Sequence, residues 1–248
     1  MPPARLLRIA FLAIVTAAAA PPPAVAGFEG KLVLEPPGCE ASGKCTLGAD
    51  FGFVDGSGTG WQAAKGLLTD GASIPRWAQP IVGAPFTDAF VKAAIIHDHY
   101  CVRHVRTWRQ THKVFHEALL ASGVPAGKAG IMYFAVLVGG PKWVELVKGK
   151  PCPVGMGCVN QFDVTASVTA GQIAFGSDGR LFMSRADIYD TAKFENTLRE
   201  KLPALEKKGD TLTVEEVEAA AQAAMTGDFY FVNGDQVGTT IGVTTDFE

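Results

Sequence analysis

The sequence predicts an α+β fold: a central antiparallel helix hairpin and a third helix packed with short strands, followed by a smaller C-terminal α+β module. Three observations carry that expectation. Apolar residues recur at spacings of three and four between about Thr87 and Gly140, as on a helix face. Short runs such as "KLVLE", "FGFV", "GQIAFGS" and "RLFMSR" flank this region and are bounded by Gly and other turn residues, as strands are. A Thr-x-x-Glu capping box at Thr213 to Glu216 then opens a further, alanine-rich helix.

In chain order, "MPPARLLRIAFLAIVTAAAAPPPAVAG" places Arg5 and Arg8 before an apolar run from Ile9 to Ala20 and an Ala24-Val25-Ala26 cleavage site. This is the pattern of a signal peptide over residues 1–26, so export to the periplasm or medium is expected. No later segment is apolar enough to span a bilayer. The remainder divides into a core domain, 27–158, and an accessory module, 159–248. Losing two arginines takes the formal charge from −3 to about −5, with no long basic run, which excludes nucleic acid as a partner. Of the five cysteines, Cys39 and Cys45, and Cys152 and Cys158, bracket short Gly-containing loops and read as two local disulfides. Cys101 is left over, on an apolar helix face, as a small buried hydrophobe.

From Phe28 to Leu68 short strands and turns are expected, with "DGSGTG" a loop, since no Lys-Ser/Thr follows it as in a phosphate cradle. Thr87 or Asp88 caps the first helix, which runs through Tyr100 with His97 on its apolar side. Thr107 and Gln110 form a capping box for the second, in which Trp108, His112, Phe115, Leu119 and Ser122 make one stripe up to Gly123. The third starts near Pro125 and stops at Gly139-Gly140. The short link at Arg103 to Arg106 makes the first two antiparallel neighbours, so His97 and His112 face each other. His99 and His104 then fall off the stripe toward solvent, and His116 lies at its margin. Near the C-terminus, "FYFVNGDQVGTTIGV" reads as a hairpin turning at Asn233-Gly234.

All five histidines lie between Ile95 and Leu119, and counting narrows their chemistry. His97 is the first histidine, so a metal phosphohydrolase that needs a ligand upstream is excluded. "HKVFH" lacks an internal glutamate, which weighs against a zinc protease, although His97, His112 and His116 form a conceivable Zn2+ ligand set. No Gly-x-Ser-x-Gly elbow is present. What survives is His97 as a general base, with Asp98 able to hold a hard cation such as Ca2+. Adjacent helical residues point about 100° apart, so these two are not expected to face each other. His112 or Tyr133 is the candidate that orients His97.

The run "TDGASIPRW … GAPF … AAIIHDHYC … RTWRQTHKVFHEALLASGV … IMYFAVLVGGPKW", from Thr69 to Trp143, resembles the bacterial and phage family catalogued as domain of unknown function 1353. That resemblance implies a fold family and no reaction. A fainter similarity is to bacterial and fungal secreted phospholipase A-two, through Asp70-Gly71-Ala72-Ser73, Pro85-Phe86, His97-Asp98-His99-Tyr100, and His112 before Phe115. It implies His97 as the base that activates water, Asp98 and Asp70 as calcium holders, and Tyr100 and His112 in the supporting network. The chain departs from that pattern at Ala72 and Ala94, where a disulfide is expected, and at His112, which replaces an aspartate.

Two functions stay open on these grounds. One is an exported, metal-dependent ester or phospholipid hydrolase centred on His97 and Asp98, with Ca2+ or alternatively Zn2+, acting on a lipid or envelope component. The other is a non-catalytic envelope module in which the same residues lock the helix pair.

Overall fold

The structure, a computed structural model, describes residues 25–72, 74, 84, 86–148, 161–162, 172–175, 179–233 and 238–240. The expected leader and the Cys152–Cys158 pair lie outside these residues, apart from the leader's last two.

The N-terminal strands are β1 (Gly27–Glu29), β2 (Leu34–Glu35), β3 (Cys45–Leu47), β4 (Phe51–Val54), β5 (Gly60–Ala63) and β6 (Leu68–Thr69). They form two three-stranded antiparallel sheets, ordered β1-β4-β5 and β2-β3-β6. The "DGSGTG" loop is the β4–β5 turn, where Asp55 Oδ1 accepts from the backbone of Ser57 and Thr59 and Oδ2 from the Trp61 indole. Cys39 and Cys45 are disulfide-bonded. The bridge ties a short 3-10 turn to β3, and closing so short a loop contributes about 2 kcal/mol. Because β3 pairs Cys45 with Thr69 of β6, the bridge also steadies the segment that ends at Asp70.

Three helices follow: α1 (Asp88–Arg103), α2 (Trp108–Ala121) and α3 (Ala126–Gly139). The Thr107–Gln110 capping box is present in both directions, and Pro125 stands one residue ahead of α3. His104 ends α1 in the left-handed region at φ 55°, a conformation that His tolerates better than most residues. There its ring stacks on Trp143 at 4.4 Å, so it is half-buried and not a solvent-facing side chain.

The C-terminal part contributes α4 (Ala192–Glu206), α5 (Val214–Ala224), the one-turn α6 (Phe229–Asn233) and a five-stranded sheet. Its strands are β7 (Lys142–Lys148), β8 (Gln161–Phe162), β9 (Gln172–Phe175), β10 (Leu181–Arg185) and β11 (Gly238–Thr240), ordered β8-β11-β7-β10-β9. One apolar core runs from Leu47 through the helices to Phe231, so α4 and α5 share it with α3. Gly130 permits that approach, since a Cβ there would stand 2.8 Å from Leu212.

The expected closing hairpin is corrected. "FYFVN" is helical because Asp228 Oδ1 accepts from the backbone N–H groups of Tyr230 and Phe231, while Arg109 donates to the Phe231 carbonyl. Strand β11 pairs parallel with β7 and β8 instead of turning back on that segment. Among the described residues no helix is long and apolar enough to cross a membrane.

Candidate metal centre and its cavity

Helix α1 places Ala94, His97, Asp98 and Cys101 on one face by their spacing of three and four. Across from it, α2 brings His112 and Phe115. The His97 Nε2 and His112 Nδ1 atoms are 2.9 Å apart, and both residues are buried, His112 completely. The expected facing pair is therefore present. Phe115 packs its ring 5.0 Å from that of His97, and Trp108 lies beside His112 at 5.5 Å.

Two features differ from expectation. His97 Nδ1 and Asp98 Oδ1 are 3.0 Å apart, so the adjacent residues do meet: Nδ1 lies close to the backbone and the short carboxylate leans back to it. Cys101, one turn after His97, is the buried thiol expected, but it lies against an imidazole, its Sγ 3.5 Å from His97 Nε2 and 3.9 Å from Nδ1. The donor atoms of His97, Cys101 and His112 all fall within 4.8 Å of one another. The signals that could have found it were its position four residues after His97 and the odd cysteine count.

The remaining candidates separate. Tyr100 lies on another face of α1, where its hydroxyl accepts from the Gln62 backbone N–H at 3.1 Å and its ring meets Trp61 edge-on. Tyr133 donates to Glu218 at 2.8 Å and so turns away from His97. His116 is buried against Tyr133, with ring centroids 5.1 Å apart. His99, expected in solvent, is buried with Arg103 Nη1 at 3.3 Å and Tyr100 beside its ring. Asp70 is exposed at the end of β6 and, with Asp98, borders a cavity. Among the described residues, no group of three convergent donors includes either aspartate.

That cavity, about 350 Å³, opens beside His97, Asp98 and Cys101. Its apolar walls come from α2 (Phe115), α3 (Ile131, Met132, Ala135, Val136) and α4 (Phe194, Leu198, Leu202), while Asp187 and Tyr189 close one side. Burial, with Asp98 and Asp187 adding to it, holds the Cys101 thiol well above its usual pKa. Burial likewise keeps His112 neutral, reinforced by the nearby His97 and Lys142, while the Pro141 carbonyl favours a proton on it. His112 Nε2 is buried without a partner at hydrogen-bond geometry, and faces Gly140, where a Cβ would come within 2.9 Å of it. Lys142 is wholly buried, its ammonium bonded to the Val138 and Gly140 carbonyls, and burial draws its pKa down to about 7.

The donor types, two imidazoles and a thiol, suit a soft divalent ion. Tetrahedral zinc with Zn–N near 2.05 Å and Zn–S near 2.3 Å separates two nitrogens by about 3.3 Å and nitrogen from sulfur by about 3.6 Å. Two of the separations, 2.9 and 3.5 Å, are within a few tenths of an ångström of that, and the third, from Cys101 to His112, is within 4.8 Å. Cys101 Sγ, also 3.9 Å from His97 Nδ1, lies over the His97 ring, so binding an ion requires the thiol to swing toward the Nε2 lone pair.

The sequence model described as protein of unknown function (DUF1353) matches residues 45–136, a span that contains His97, Asp98, Cys101 and His112. Two proteins of Sinorhizobium fredii are similar, both described as uncharacterized. The protein y4iH is 40% identical over 180 residues, covering 72% of this chain and 70% of its own; y4jT is 42% identical over 115 residues, covering 44% and 34%. No solved structure is significantly similar. The chain belongs to the DUF1353 family.

Proposed function

We propose that this DUF1353 protein is an exported hydrolase that cleaves an ester in the cavity, with His97, Cys101 and His112 holding a soft divalent ion such as Zn2+. The observation that carries the reading is the convergence of two imidazole nitrogens and a thiol on the wall of an apolar cavity. The disposition of protons supports it. If a neutral His97 donates its Nδ1–H to Asp98, its Nε2 is a lone pair that accepts from His112 Nδ1–H or from the Cys101 thiol 3.5 Å away. With the proton on His112 Nδ1, Nε2 is bare where the Pro141 carbonyl favours N–H; with the thiol as donor, two imidazole lone pairs face each other at 2.9 Å. A cation among the three donors lets both imidazoles keep their outer protons and offsets the charge of a thiolate.

When bound, such an ion supplies a Lewis acid that acidifies water and polarises a carbonyl. Asp98 fixes the tautomer and orientation of His97, as a carboxylate behind a metal-binding histidine does. Asp98 or Asp187, both at the cavity wall, accepts the proton released from water. Phe115 and the α3 and α4 side chains exclude bulk water, which strengthens these electrostatic effects. His97 thus acts as a ligand and not as the base, and the ion is soft instead of calcium held by Asp98 and Asp70. A purely structural His–His lock is expected behind a sealed wall; the adjoining cavity favours chemistry. The leader pattern and the Cys39–Cys45 disulfide support export.

Metal analysis of the purified mature chain, followed by hydrolysis assays with ester and phospholipid substrates on wild type and His112→Ala, tests the proposal. We expect about one equivalent of zinc in the wild type and loss of both metal and turnover in the variant. Turnover that survives in His112→Ala, or in metal-free protein, contradicts it.

A further inference from the structure

The cavity has an apolar lip as well as an apolar wall. Leu68 and Val102, which border it, are 78% and 76% exposed, so the apolar lining continues to the solvent-facing edge of the cavity. Behind them Ile131, Ala135, Leu198 and Leu202 offer no polar partner. The charged groups on the lining are Asp70, Asp98 and Asp187, and no Lys or Arg accompanies them among the described residues. At about 350 Å³ the space lies at the small end of ligand cavities, enough for one hydrocarbon chain and not for two.

We infer that the cavity binds a single-chain amphiphile with a cationic head, its chain along α3 and α4 and its head among the three carboxylates. That this amphiphile is an acyl ester substrate rests on the hydrolase reading above. Hydrolysis of such an ester adds one water across the acyl C–O bond and yields the fatty carboxylate, the amino alcohol and a proton. The anionic product then faces like charges, which assists its release. In the metal-free chain a phosphate head meets the same repulsion on entry, which an ion held by His97, Cys101 and His112 would partly offset, so the preference between heads is read without metal.

The test is calorimetric binding to the full mature chain, stripped of metal with a chelator and below the micelle concentration, of dodecyltrimethylammonium, dodecyl phosphate and tetramethylammonium. The ammonium amphiphile is expected to bind roughly tenfold or more tightly than the phosphate, and tetramethylammonium not to bind. Ala135→Trp, which fills the wall, should abolish binding, and exposed Asp187→Asn should narrow the preference between heads while leaving the fold intact. Equal or stronger binding of the phosphate, absence of binding by both amphiphiles, or binding undiminished in a folded Ala135→Trp protein overturns the inference. Binding with this preference in a protein that holds no metal and cleaves no ester leaves the inference standing while the hydrolase reading falls.

Discussion

His112 and His116 stand one turn apart on the same buried face of α2, yet their surroundings differ in kind. His112 meets a second imidazole, with a thiol close by, beside a cavity. His116 meets the ring of Tyr133, whose hydroxyl is engaged by Glu218. Burial is nearly the same for both, so burial does not mark a site; the chemistry of the facing residue does. Among the described residues the donor that converges with His97 and His112 is Cys101 and not His116, which is why the proposed ligand set differs from the one the sequence suggested.

The comparison breaks most sharply at His112. His112→Ala should lower metal affinity and ester kcat/KM by more than about 100-fold, beyond the range seen for residues behind a ligand, whereas His116→Phe should leave both within about twofold. Equal losses in the two variants would erase the distinction. Next in size is Asp98→Asn, which keeps the shape but weakens the acceptor for His97 Nδ1–H. It should cost about 10- to 100-fold in metal affinity, measured by competition with a chelating dye.

Gly140→Ala should follow, with roughly a tenfold loss in metal affinity. Its Cβ would meet the Val136 carbonyl oxygen at 2.5 Å and His112 Nε2 at 2.9 Å, so the end of α3 and the His112 ring must both shift, and a displaced ligand is at least as damaging as a lost partner behind one. An unchanged affinity would show that the strain is absorbed at the end of α3 and that the His112 ring keeps its place.

The smallest effect concerns acid stability. Burial lowers the pKa of His116 in the fold below its usual 6.5. Above about pH 6.5 neither state binds the proton and stability is full; as pH falls below that, the unfolded chain protonates first and stability declines. His116→Phe should make this decline shallower in urea titrations, without abolishing it, because burial lowers His99 and His104 as well. A steeper decline would reverse the assigned direction.

The helix hairpin and its His97–His112 contact were legible because the stripes are regular and the α2 cap is explicit. The surroundings of Cys101 were not, although its position follows from the same periodicity: a cysteine on an apolar face looks alike whether its neighbours are leucines or imidazoles. His99 and His104 escaped because their burial comes from Arg103, Tyr100 and Trp143, contacts made at the end of α1 where periodicity stops informing. "FYFVN" misled through its aromatic content and the following Asn-Gly. Asp228, which caps it, was present in the sequence, but the contact from Arg109 that completes it comes from 122 residues away. The cavity was invisible for a related reason, since its wall is assembled from α3 and α4, elements far apart in the chain.

The most direct measurement is the absorption spectrum of the mature protein loaded with Co2+ in place of zinc. The account predicts intense tetrahedral ligand-field bands and a thiolate-to-cobalt charge-transfer band, the latter lost in Cys101→Ala and retained in His116→Phe. Weak, octahedral-type absorption without charge transfer, or a spectrum unchanged by Cys101→Ala, would contradict it.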